Sequence, residues 1–235
     1  MFKNIAGFSL LFSAIAVIGC SGNGNTVDDP AVPEAPGLQQ PMSLYPYGDK
    51  APDVYSVKLE TTKGDIIIEV NRDWAPVGAD HFYNLVTQGF YTDCAFFRVL
   101  PGFMAQTGVN GDPKIHAQWG EKNIPDDPQK KSNLTSYVSF GQQGRPNSRS
   151  THIFINTADN VNLDAMGFPP FGIVTSGMDV ANSLYNGYGE GAPRGAGPDQ
   201  GRMAAEGSAY LKADYPKLDY ILKAGIVGGA AEGSE

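Results

Sequence analysis

Phe96-Phe97-Arg98-Val99-Leu100-Pro101-Gly102-Phe103-Met104-Ala105-Gln106-Thr107-Gly108 is the stretch whose reading decides the fold. Its first half alternates like a strand, with Phe97 and Val99 on one face and Arg98 and Leu100 on the other. Pro101-Gly102 interrupts the alternation, because proline fixes φ and glycine accepts conformations that other residues avoid. Phe103, Met104 and Gln106 follow at once. A cation, an apolar pair and an amide thus gather around one bend. That is a wall for a pocket that takes something apolar next to something polar.

This run resembles the signature of the cyclophilins, the peptidyl-prolyl cis-trans isomerases, which typically reads Phe-His-Arg-Val-x-Pro-Gly-Phe-Met-x-Gln-Gly-Gly. Nine positions match in register. The departures are Phe97 in place of His and Thr107 in place of the first Gly of the closing pair. A second block, from Asn147 to Ile155, resembles Asn-x-x-x-Ser-Gln-Phe-Phe-Ile, with Thr151 for Ser and His152 for Gln. A third, Leu163-Asp164 followed by Phe171-Gly172-Ile173-Val174, resembles Trp-Leu-Asp-Gly…Phe-Gly-x-Val, with Asn162 where the Trp stands. The three blocks occur in the family's order, and the resemblance covers residues 54–184 and, more loosely, reaches 221.

Outward from these blocks the chain divides into four parts. Residues 1–20 read as an export signal: Lys3 supplies the positive start and residues 5–18 form an uncharged apolar run too short for a membrane span. Val17-Ile18-Gly19-Cys20 resembles the lipobox of bacterial lipoproteins, which makes Cys20 the expected lipidation site; ordinary secretion without an anchor is the alternative. Multiple acyl chains, at ~0.8 kcal/mol per buried CH₂, would make that anchor durable. Residues 21–52, with six prolines and no hydrophobic period, read as a disordered linker. It would reach ~30 Å as a coil and ~100 Å if stretched. Residues 53–224 are the expected domain and 225–235 a small, acidic, disordered tail.

Within the domain, Val57, Leu59 and Thr61 alternate, Lys63-Gly64-Asp65 turns, and Ile66, Ile68 and Val70 alternate back, the pattern of a hairpin. Pro76 opens a helical spacing that Gly89 closes. Residues 109–134 read as a polar surface excursion, 137–140 and 151–156 as strands, 177–184 as a second helix, and 210–222 as a last strand or helix. Taken with the cyclophilin resemblance, this implies an all-β fold: a closed eight-stranded antiparallel β-barrel capped by two α-helices.

Charge narrows the partners. The formal net charge is −8, which repels phosphate backbones and argues against nucleic acid; nor is there a basic patch for a membrane surface. Contact with a membrane is expected through the lipid anchor alone, and the protein is expected to be a monomer. The three histidines lack metal-ligand spacing, and no Gly-x-Ser-x-Gly or phosphate-cradling loop is present, so neither a metal nor a cofactor is expected. Cys94, left over if Cys20 is acylated, reads as a buried, inert thiol.

The resemblance implies catalysis of rotation about Xaa-Pro bonds, whose amide resonance sets a barrier of ~18–20 kcal/mol. As the bond twists, the prolyl nitrogen regains a lone pair. A donor aimed at that lone pair stabilises the twisted state and not the planar one. Five decades of acceleration would need about 7 kcal/mol of such differential binding. Arg98 is the implied donor, always charged and carrying five N–H groups in a fixed fork. Gln106 would grip the substrate backbone and help position Arg98. Phe103, Met104, Phe154 and Leu163 would line the proline pocket, although such residues also fill cores. Phe97 and His152 take the places of substrate-facing residues; Phe97 cannot donate a hydrogen bond, and His152 either reaches a peptide carbonyl or serves packing. Gly141 or Gln142 could offer backbone contacts.

The expected function is therefore a lipid-anchored isomerase acting on Pro-containing segments of unfolded or exported proteins in the cell envelope, at the periplasmic face of the outer membrane if the source is Gram-negative. The alternative is a cyclophilin-like module that binds Pro-containing peptides without turnover; an anchored structural lipoprotein is a third, weaker reading. Asn162 removes an aromatic contact that the family's cyclic-peptide inhibitor uses, so cyclosporin should inhibit only weakly. A titration of prolyl isomerase activity showing tight, saturable inhibition would refute this.

Overall fold

A computed structural model describes residues 48–228 of the chain. The export signal with Cys20, most of the linker (21–47) and the end of the tail (229–235) lie outside the described residues. The alternating apolar residues form the expected hairpin, β1 (Val54–Thr61) and β2 (Gly64–Asn71), with Thr61 opposite Gly64 at its tip. Tyr55, Val57, Leu59, Ile66, Ile68 and Val70 point inward and are all but inaccessible. Helix α1 (Pro76–Thr87) then lays Ala79, Phe82, Leu85 and Val86 against that face. Its N-terminal residue, Ala75, has no side chain to cap the open amides. The cap comes from far along the chain instead: the Asp127 carboxylate accepts from the amides of Val77 (2.9 Å) and Gly78 (2.8 Å). The fully buried Arg149 pairs with Asp127 at 3.0 Å. The polar excursion is thereby tied to the helix start.

After α1 come β3 (Cys94–Ala95), β4 (Arg98–Leu100) and β5 (Met104–Thr107), then α2 (Pro113–Trp119), β6 (Tyr137–Phe140) and β7 (Ile153–Asn156). A 3₁₀ helix (Val161–Met166), β8 (Pro170–Ser176), α3 (Met178–Ser183), α4 (Gln200–Asp214) and β9 (Tyr220–Ile226) complete the chain. All strands belong to one curled antiparallel sheet in the order β3-β9-β1-β2-β8-β6-β7-β5-β4. Its two edge strands are neighbours in sequence, separated only by Phe96-Phe97. The sheet wraps a core made of the inner strand faces and α1. A second cluster, with Phe97, Met203, Tyr210 and Leu211 among its members, seats α4 beside β3.

The count differs from the expected eight strands and two helices: the described residues hold nine strands and four α-helices. The stretch around Arg98 pairs as two pieces rather than one strand, because the Phe96 amide is taken by Asp219 O at 2.9 Å and Phe97 turns into the second cluster. Helix α2 emerges from the polar excursion because Asp112 accepts from the Lys114 amide at 2.8 Å and Pro113 fits a first helical turn. Asp199 caps α4 in the same way through the Arg202 amide. The last segment, left open between strand and helix, is both.

Contacts with the sheet and α1 extend a few residues past 53 and 224 in both directions. The Asp49 amide donates to Asn84 Oδ1 (2.8 Å) and the Ala51 amide to Asp80 Oδ1 (2.9 Å), so these two residues, assigned from the sequence to the linker, are bonded to α1. At the other end Ile226 still pairs with Val57, and the Val227 amide reaches Ser56 O at 2.8 Å. Residues 225–227, assigned from the sequence to the tail, therefore pair with β1.

Burial of one histidine has a thermodynamic consequence. His81 on α1 is 2% exposed, its Nε2 bonds Ser150 O at 2.7 Å, and its Nδ1 has no hydrogen-bond partner among the described residues. Burial pushes its pKa down from 6.5 to about 4. The unfolded chain thus binds a proton near pH 6.5 that the folded chain refuses until about pH 4, so stability is full above that window and falls as pH drops through it. The loss from this residue alone should reach on the order of 2–3 kcal/mol. Urea unfolding between pH 7 and pH 4.5 should show the decline, and His81→Gln should remove a share of the slope; an unchanged slope would clear His81 of any part in it.

Candidate functional site

Register brings the site together. Arg98 on β4 lies opposite Gln106 on β5, and Gln106 lies opposite Phe154 on β7. Directly opposed residues of an antiparallel pair share a face. The next row of that face holds Leu100, Met104 and Asn156. Between the two rows Val99, Ala105 and Ile155 point the other way, into the core. A β-turn makes this possible: the Phe103 amide returns to Leu100 O at 3.1 Å, with Gly102 at φ 70°. Gly108 ends the stretch at φ 114°, where a Cβ would lie 2.2 Å from Thr151 O, so no other residue fits. Thr107, standing where the family signature has a glycine, is buried, and its hydroxyl is satisfied by donating to Ala95 O at 2.9 Å.

Over these rows opens a cavity of about 700 Å³. Seven of the eight residues singled out from the sequence for catalysis or substrate contact line it: Arg98, Gln106, Phe103, Met104, His152, Phe154 and Leu163. Phe97 does not. It is 1% exposed, packs with Ala95, Val109 and the α4 residues, and meets the cavity only through His152, whose ring centroid is 5.3 Å away. The physical reason is the alternation itself, which puts Phe97 on the face opposite Arg98. Gly141 and Gln142 both line the cavity, while Asn162 is exposed and lies outside it.

One end of the cavity is apolar. Met104, Phe154 and Leu163 are buried together, and the half-buried Leu100, Phe103 and Phe168 pack against them. Phe168 meets Phe154 edge-on, with centroids 5.7 Å apart. A polar lattice supports this slot from beneath. Asn133, fully buried, donates through Nδ2 to Asp164 Oδ1 and Phe168 O (both 2.8 Å) and accepts through Oδ1 from Ser139 (2.8 Å) and Asn156 (3.2 Å). Asn160 bonds Phe103 O at 2.8 Å and Asn156 Oδ1 at 2.7 Å. Burial alone would raise the Asp164 pKa, but hydrogen bonds from Ser132 and Asn133 outweigh it and leave the group lowered. The turn that carries Phe103 and the 3₁₀ helix that carries Leu163 are thus held by one network.

The other end is polar. Arg98 Nε and Nη2 donate to the two carboxylate oxygens of Glu190 at 2.7 and 2.8 Å. Its Nη1 faces Gln106 Oε1 at 3.3 Å and Met104 Sδ at 3.8 Å, and its Cζ stands 5.7 Å from the Phe103 ring centre. His152, half-buried in the wall, has its pKa pushed down to about 4 by burial, so at neutral pH it presents an uncharged ring. The site can therefore seat a small apolar ring and set guanidinium and amide N–H groups beside it.

Glu190, Phe168 and the asparagine lattice were not found from the sequence. A usable signal existed for the lattice: Asn133, Asn156 and Asn160 end or flank apolar strands, where polar side chains need partners. Glu190, 92 residues from Arg98, left no such trace.

Comparisons with known proteins agree with this geometry. Residues 56–199 match the family described as cyclophilin type peptidyl-prolyl cis-trans isomerase/CLD. The chain is 36% identical over 134 residues to peptidyl-prolyl cis-trans isomerase A of Dickeya dadantii, covering 54% of this chain and 70% of that one. To peptidyl-prolyl cis-trans isomerase B of Escherichia coli it is 26% identical over 175 residues, covering 71% and 96%. Among solved structures, a cyclophilin from Hirschia baltica superposes with a TM-score of 0.55 at 20% identity, covering 78% of each chain. A cyclophilin-type isomerase from Cryptosporidium parvum, crystallised in the presence of the dipeptide Ala-Pro, gives 0.52 at 16% identity, covering 74% and 99%.

If the lattice holds the slot, Asn133→Ala should destabilise the protein by about 2–4 kcal/mol, because it strands buried partners as well as losing bonds. It should also weaken the binding of Pro-containing peptides. Urea unfolding and peptide titration check both; near-neutral stability would show that the lattice is dispensable.

Proposed function

The chain belongs to the cyclophilin-type peptidyl-prolyl cis-trans isomerases, and we propose that it works through Arg98 and Gln106 over the slot of Phe103, Met104, Phe154 and Leu163. The observation that carries this reading is the placement of the Arg98 guanidinium on the same sheet face as the apolar slot built by Met104, Phe154 and Leu163. The proline ring enters the slot and its burial supplies non-directional affinity. The flanking backbone lies along Gln106, Gly141 and Gln142, whose polar groups fix its orientation. As the amide twists, the prolyl nitrogen becomes a hydrogen-bond acceptor, and an Arg98 Nη–H meets it. Nothing comparable is offered to the planar ground state, so the contact lowers the barrier. His152, neutral above about pH 4, contributes wall and hydrogen-bonding capacity without charge. The dipeptide present with the Cryptosporidium relative suits a site on the scale of one Xaa-Pro unit.

We also read β3 and β4 as one bent strand, which reduces the count to eight and closes the barrel. Support comes from the two-residue gap between them and from the bond of Thr107 to Ala95 O across that seam. The setting proposed is the cell envelope, with Cys20 as the anchor and exported proteins as substrates; it rests on the pattern of residues 1–20.

Arg98→Ala tests the chemistry. In a protease-coupled prolyl isomerase assay kcat/KM should fall roughly 10²–10³-fold, as expected for loss of a donor used in the transition state. Peptide affinity should change little, since the slot is untouched. Equal rates in variant and wild type would end the role assigned to Arg98.

A further inference from the structure

Two charged side chains in the cavity wall, Glu190 and Arg194, take no part in the mechanism so far, and Glu190 is the one that contacts Arg98. Glu190 comes from the segment between α3 and α4 and reaches into the cavity wall. Its carboxylate takes the Nε and Nη2 edge of Arg98 in a two-point contact of 2.7 and 2.8 Å. Both side chains are mostly shielded, at 19% and 29% exposure, which distinguishes the pair from the mobile surface ion pairs that contribute little.

The segment is built to hold the acid in place. Glu190 O accepts from the Gly197 amide at 2.8 Å, and Ala192 returns a bond to Gly197 O at 3.1 Å. Gly195 passes so close that a Cβ there would lie 2.3 Å from Glu190 O. The Gly191 amide donates to Glu190 Oε1 at 3.1 Å. Tyr215 OH reaches Gly197 O at 3.3 Å and the Asp199 amide reaches Tyr210 OH at 3.1 Å, which ties the segment to α4 and the second cluster.

A guanidinium on a four-bond stem samples many orientations, whereas a donor must point along the developing lone pair to help it. Two-point contact with a carboxylate fixes the guanidinium plane. Because Glu190 uses the Nε–Nη2 edge, the opposite edge, Nη1, is the one left turned toward Gln106 and the slot. We propose that Glu190 is a positioning residue, which locks the plane of Arg98 so that its Nη1 edge addresses the twisting Xaa-Pro bond. The inference rests on the catalytic role given to Arg98. It opposes the other effect a carboxylate must have there, a partial cancellation of the cation's charge.

The test is a double-mutant cycle in the full chain, with kcat and KM measured separately for wild type, Glu190→Ala, Glu190→Gln, Arg98→Ala and the Arg98→Ala/Glu190→Ala pair. Glu190→Ala should lower kcat roughly ten- to a hundred-fold, the scale of a misplaced catalytic group, with KM within about two-fold of wild type. Glu190→Gln, which keeps an acceptor for one donor, should recover part of the loss. In the Arg98→Ala background Glu190→Ala should do nothing further. The inference is overturned if Glu190→Ala leaves kcat unchanged or raises it, the sign of a brake, or if it lowers activity equally without Arg98, the sign of general damage. If Arg98→Ala alone leaves the rate intact, it is the role of Arg98 that has failed, and the positioning role falls with it.

Discussion

A two-residue turn, Pro101-Gly102, sets the register of β4 on β5, and through it the composition of the site. Side chains alternate along a strand, so slipping β4 by one residue on β5 would send Arg98 into the core and bring Val99 to the surface. Burying a guanidinium without partners costs far more than the sheet could recover. The apolar inner row therefore selects the register, and the register places a cation, an amide and a thioether on the outer face as a by-product of core formation. Catalytic geometry is inherited from packing.

The sheet must also be stiff beneath the slot. Phe103 sits at the turn and Leu163 on a short 3₁₀ helix, both elements with little regular hydrogen bonding of their own. Asn133, Asn156 and Asn160 supply the missing bonds from a buried lattice, each satisfying backbone or carboxylate groups that would otherwise be stranded. A satisfied polar network inside a low-dielectric region is rigid because every alternative arrangement leaves something unpaired. The slot can then present an apolar face to a ligand while its shape is fixed by polar chemistry behind it.

Legibility in the sequence followed the range of the interactions. The hairpin, the first helix and the Arg98 turn depend on neighbours within a few residues, and the alternation of Val57, Leu59, Ile66 and Ile68 or the pair Pro101-Gly102 state them openly. Seven of the cavity residues were reachable by family resemblance, since they lie in short blocks. The failure of Phe97 is instructive, because the alternation that assigned it to the far face was a better guide than its place in the motif. Elements that took their cause from a distance stayed hidden. The cap of α1 comes from Asp127, and the partner of Arg98 comes from a Gly/Pro-rich segment whose composition reads as loop. Helices α2 and α4 each had a local signal in Asp112 and Asp199, but weak amphipathic patterns did not extend it.

The Arg98–Glu190 contact shows what such long-range pairing does to function. Hydrogen bonds between Arg98 and the carboxylate hold the Glu190 pKa below its ordinary value, so the pair stays ionised through neutral and mildly acid conditions. A paired guanidinium carries less net field than a free one, and a site that bound anions would suffer for it. A twisted peptide bond is a neutral acceptor, however, and its lone pair responds to the direction and distance of a single N–H more than to a distant field. Fixing the plane therefore matters more than the charge it partly cancels.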